Sequence, residues 1–158
     1  NDDRLEWKTF GDGAKPRPFV DSMKRALAPV LSPDGRLAAF TSGDSGTPEI
    51  WAARFPGGEG LVQVSRGGGM EPVWSPDGRF LYFEKGDSVY RASVTGGAHV
   101  DFGTPERVLD GKPEQLAVDH GFDVLPGGSE FVMVQQLPFK DAALIYVQDW
   151  FAEFRKRP

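Results

Sequence analysis

The chain has 158 residues, a formal net charge of −5 and no cysteine. That length suits about one ordinary domain, and the excess of acid argues against a nucleic-acid partner, whose phosphates call for a basic patch. Without thiols there is neither a disulfide framework nor a thiolate metal site, and the compartment stays open.

Twenty glycines and 12% aromatic residues suit many short strands joined by tight turns. One hexapeptide occurs nearly twice. Ser32-Pro33-Asp34-Gly35-Arg36-Leu37 returns 43 residues later as Ser75-Pro76-Asp77-Gly78-Arg79-Phe80. Each copy follows a short apolar strand and precedes another. A period of about 40–45 residues with several short strands is that of a β-propeller blade. The expected fold is therefore all-β, a partial propeller of about three four-stranded blades, with strands lettered A (innermost) to D (outermost).

In chain order, residues 4–9 and Pro18-Phe19-Val20 read as strands C and D of a preceding blade. The first full unit has A near 29–32, B at 36–42, C at 49–55 and D at 61–65. The second has A at 72–75, B at 79–84, C at 87–94 and D at 106–110. A third unit has A at 122–125, B at 130–136 and C at 143–148, with Pro126-Gly127-Gly128 where Pro-Asp-Gly stood before. That third proline comes 50 residues after Pro76, so the second blade carries extra residues, placed in a C–D loop at 98–104. Asp149 then caps a short C-terminal helix whose apolar face is Trp150, Phe151 and Phe154. The divisions are 1–27 (strands C and D plus linker), 28–70 (a blade), 71–120 (a blade with the longer C–D loop), 121–148 (an incomplete blade) and 149–158 (helix and tail).

The turn residues carry their own reasons. Pro33 and Pro76 preset φ, Asp34 and Asp77 bond the nearby backbone, and Gly35 and Gly78 supply a positive φ. No apolar run approaches the roughly 20 residues of a membrane-spanning helix. No signal peptide and no initiating Met are present, so the chain reads as a piece of a longer one.

These Ser-Pro-Asp-Gly-Arg hairpins resemble the repeats of TolB-like β-propellers. The ordered string from Pro16-Arg17-Pro18-Phe19-Val20 through Ser45-Gly46-Thr47-Pro48-Glu49-Ile50-Trp51 to Gly68-Gly69-Met70-Glu71-Pro72-Val73-Trp74-Ser75 is similar to the C-terminal propeller of bacterial membrane-bound serine/threonine protein kinases and related sensors. The ending, residues 145–154, resembles theirs too. The resemblance covers essentially the whole chain. It implies an extracytoplasmic location, with a kinase and a transmembrane helix upstream. Pro126-Gly127-Gly128 departs from the motif.

Candidate chemistry is sparse. Gly43-Asp44-Ser45-Gly46 resembles the nucleophile motif of trypsin-like enzymes, but Thr47 follows where they have Gly. Both histidines, His99 and His120, come after the serine, whereas those enzymes place the catalytic His before it. Ser45 therefore reads as the tip of a B–C hairpin. The histidines are 21 residues apart and lack a ligand spacing. The expectation is a non-catalytic segment with no metal and no cofactor.

Binding is the live option, because loops on a rigid scaffold carry recognition. The D-to-A connections at 21–28, 66–71 and 111–121 converge on one face and bring Lys24, Arg25, Arg66, Met70, Glu71 and His120. The expected function is a sensor or interaction module that binds a protein or small molecule on that face. The alternatives are a propeller that gates a hydrolase and a TolB-like periplasmic scaffold. Three blades do not close a ring, so the other expected partners are the remaining blades or a second copy of the chain.

Overall fold

A computed structural model describes residues 3–11, 13–44, 46–95, 100–110, 122–126 and 130–133. Every regular element among them is a β-strand, and every pairing is antiparallel. The chain is an all-β partial propeller. β1 (Glu6–Trp7) and β2 (Arg17–Pro18) pair as a two-stranded ribbon. β3 (Ala26–Leu31), β4 (Leu37–Ser42), β5 (Glu49–Arg54) and β6 (Val62–Gln63) form the first four-stranded sheet, in sequence order. β7 (Met70–Trp74), β8 (Phe80–Lys85) and β9 (Ser88–Thr95) begin the second. Its outer edge is shared by β10 (Asp101–Phe102) and β11 (Glu106–Asp110), both paired to β9. β12 (Phe122–Val124) and β13 (Phe131–Met133) pair as the third unit's first two strands.

The strands alternate with period two, yet β4 and β8 are covered on both faces, because each packs against a neighbouring unit on either side. In β4, Ala38 and Phe40 pack towards Phe19 and Val20, while Ala39 packs towards Trp74, Leu81 and Phe83 of the second blade. In β8, Leu81 and Phe83 face back to the first blade, while Tyr82 meets Phe122 and Val124. This explains why Leu-Ala-Ala-Phe and Phe-Leu-Tyr-Phe lack polar alternation. Small alanines at Ala39, Ala52 and Ala92 admit the aromatic rings between blades.

The two Ser-Pro-Asp-Gly turns are near copies. Asp34 Oδ1 accepts from Ser32 Oγ at 2.7 Å and from the Arg36 amide at 3.0 Å. Asp77 Oδ1 accepts from Ser75 Oγ and the Arg79 amide at the same distances. Gly35 and Gly78 take φ of 69° and 70°. In the third unit the Leu125 amide donates to the Glu130 carbonyl at 2.9 Å, as Ser32 and Ser75 do to Leu37 and Phe80. Leu125 and Gly127 replace the Ser and Asp, so the side-chain clasp has no counterpart there.

Several expectations shift. β3 begins at Ala26 and β7 at Met70, so residues 26–28 and 70–71, expected in D–A loops, are strand. Asp101 and Phe102, expected in the C–D loop, pair with Thr95 and Val94 instead. The Gly103 amide donates to the Ser93 carbonyl, and the sheet edge resumes at Glu106. The extra residues thus lengthen the outer strand and bend it. The expected C strand at 143–148, the terminal helix at 149–158, Ser45, His99 and His120 lie outside the described residues.

Candidate functional site: the loop face and an interblade cleft

Antiparallel meandering puts the D–A connections and the B–C turns at one end of the blades, and the Pro-Asp-Gly turns at the other. On the first end, two loops are pinned to neighbouring turns. The Lys24 amide donates to Asp44 Oδ2 at 2.8 Å, and Ser42 Oγ donates to the Lys24 carbonyl at 2.9 Å. The Arg25 carbonyl accepts from the Gly43 amide.

The second connection is held by a buried carboxylate. Glu49 is only 5% exposed. Its Oε1 accepts from the amides of Gly67 at 2.8 Å and Gly68 at 3.0 Å, and its Oε2 accepts from Ser65 Oγ. Ser65 Oγ in turn accepts from the Ile50 amide at 2.8 Å. Successive glycine amides form a concavity for an anion; here the chain's own glutamate fills it. Gly67 and Gly68 have φ of 73° and 112°, which side chains rarely adopt. The glycine run reads from sequence as a turn, but its carboxylate partner is not legible there.

Arg66 sits on this braced loop. Lys85, at the end of β8, donates to the Arg66 carbonyl at 2.8 Å. Its ammonium lies 5.6 Å from the centroid of the Tyr90 ring, a cation–π arrangement. Tyr90 stacks on Phe83 with centroids 5.9 Å apart and planes 16° apart. Together they bound a cleft of about 420 Å³ between the first two blades, with Val62 and Val64 on one wall and Phe102 on the other. Arg66 has no carboxylate partner among the described residues. Of the five described residues expected to bind, Arg66 alone lines this cleft.

Met70 and Glu71 lie in β7, where a bulge interrupts the register between Met70 and Val73. The same bulge falls between Leu27 and Val30 in β3. Its left-handed residue is Ala28 (φ 49°) in one blade and Glu71 (φ 51°) in the next, each just before a proline; Arg25 is a further one (φ 51°). A left-handed non-glycine residue costs about 1–2 kcal/mol. Burial, and then the Glu71 charge, hold the Glu84 carboxyl above its ordinary pKa. The face therefore brings Lys24 with Arg25, Arg66 with Lys85, and Glu71 with Glu84, as three separate groups. His120 lies outside the described residues. No group of three His, Cys, Asp or Glu able to hold a metal ion occurs among the described residues.

Among solved structures, the chain is similar in fold to the crystal structure of TolB from Acinetobacter baumannii, with a TM-score of 0.50 and 15% identity. The match covers 78% of this chain and 32% of that one, so the chain spans about a third of the length of TolB. No protein-family model and no curated protein matches the sequence. No helix among the described residues is long and apolar enough to cross a membrane.

Proposed function

We propose that this chain is a non-catalytic β-propeller interaction module, the ligand- or protein-binding region of a bacterial signalling protein such as a receptor-like serine/threonine kinase. In this reading it is displayed outside the cytoplasm and binds through the D–A loop face. The observation that carries it is the Arg66 guanidinium, which has no carboxylate partner among the described residues, on a loop fixed by Glu49 and lining the interblade cleft. A fixed loop presenting an unmatched charge is a recognition element, because little ordering remains to oppose binding. The TolB-like fold and the ordered sequence string support the same class of protein.

The other partner in this reading covers the free side of the first blade. Leu27 and Leu31 of β3 are 56% and 52% exposed, whereas Trp74, which corresponds to Leu31, is 8% exposed under the first blade. The remaining blades of a longer propeller, or a second copy of the chain, would cover that side.

The domain content of the full-length protein tests the reading. A kinase domain followed by one membrane-spanning helix upstream of Asn1 is the expected result. A hydrolase domain there would overturn it in favour of a substrate-gating propeller.

A further inference from the structure

We propose that the cleft between the first two blades binds a small organic anion with an apolar body, a carboxylate carried on an aromatic or branched aliphatic group. This rests on the reading of the chain as a binding module and names the ligand class of that same site.

The volume of about 420 Å³ falls in the range of small-molecule sites. The walls are Val62 and Val64 on one side and Phe83, Tyr90 and Phe102 on the other. They are preformed: Tyr90 stacks on Phe83, and Phe102 packs on Trp74 with centroids 6.2 Å apart. The charge is at one end. Arg66 has no carboxylate partner among the described residues, and Lys85 uses one N–H on the Arg66 carbonyl, which leaves two. Glu49, the buried acid behind the loop, has both oxygens engaged by Ser65, Gly67 and Gly68.

A bare inorganic anion would satisfy the two cations and leave the aromatic walls in water. A neutral apolar molecule would do the reverse. An apolar carboxylate matches both, with charge-assisted hydrogen bonds to Arg66 and Lys85 and ring contacts along Tyr90 and Phe102. Arginine suits this role, because its planar fork matches a carboxylate.

The test titrates 3-phenylpropionate, 3-phenylpropanamide and acetate separately into the full chain and follows backbone amide shifts. Expected are saturable shifts with phenylpropionate at Gly67 and Gly103, beside the cleft, and none at Gly35 and Gly78 on the other face. The amide should bind about tenfold more weakly, the value of a lost charge-assisted bond, and acetate at least as weakly, because it has no ring to bury against the walls. In Arg66→Gln, an exposed change that keeps the native spectrum, the acid's advantage over the amide should shrink several-fold. Equal binding of acid and amide, no saturation by the acid, or an unchanged preference in Arg66→Gln would each overturn the proposal. Such a failure would leave the module reading standing, since that depends on partners contacted by the loop face and on upstream domain content.

Discussion

The indole Nε1 of Trp74 donates to the carbonyl of Val30 at 3.2 Å, a bond between the inner strands of two successive blades. The same ring packs on Phe102 and in the core with Ala39 and Ile50. It therefore joins the blades at their narrow end, beside the bulge in each strand. Trp74→Phe should lower stability by about 1 kcal/mol through the lost bond. Trp74→Ala should cost about 3–5 kcal/mol through the cavity it leaves. Urea unfolding of the two variants checks both values.

The Pro-Asp-Gly turns make a pH prediction. The Ser75 hydroxyl first, then the Arg79 amide and guanidinium, hold the Asp77 carboxyl down at about 2, from an ordinary 3.8. Asp34 is lowered by the equivalent Ser32 hydroxyl and Arg36 amide. A carboxylate depressed in the folded state contributes stability above its unfolded pKa, and the contribution fades as pH falls through the folded one. The melting temperature should drop between about pH 4 and pH 2, and Asp77→Asn should flatten that part of the profile. Thermal melts across this range decide it.

Glu49→Gln should loosen the Arg66 loop without unfolding the blade. The amide side chain offers one acceptor where the carboxylate offers two, and it brings an N–H₂ against existing donors. The cost is about 1–3 kcal/mol. Hydrogen exchange should speed up at Gly67 and Gly68 and stay unchanged at Gly35 and Gly78.

What the sequence made legible is what is local or repeated. In the Ser32 and Ser75 turns every partner lies within five residues, so residue chemistry alone specifies them. The Glu49 brace escapes that logic. Its donors come 16 to 19 residues later, and the corresponding position in the next blade is Ser88, so no repeat signals it. Lys85 was equally hidden, because its partner is the Arg66 carbonyl of the neighbouring blade. Asp101 and Phe102 were misread as loop because the insertion breaks the period, although the backbone continues the sheet edge. Met70 and Glu71 were misread because the preceding glycines signal a turn, and the bulge that follows is still paired strand.

The exposed Leu27 and Leu31 should make the 158-residue chain self-associate as concentration rises, since large uncovered apolar surface favours pairing. Size exclusion with light scattering should show a mass above the monomer's 17.3 kDa. Leu31→Lys should return it towards monomer. A monomer at all concentrations would mean that this face needs no cover.

The most direct test of the account is to place a photo-crosslinking amino acid at one of two positions in the full-length protein in its host. Position 66 lies on the D–A loop face. Position 79, where the Arg79 side chain is 75% exposed, lies on the opposite end of the blades. The account predicts specific adducts from position 66 and background from position 79. Equal adducts from both positions, or adducts from position 79 alone, would contradict it.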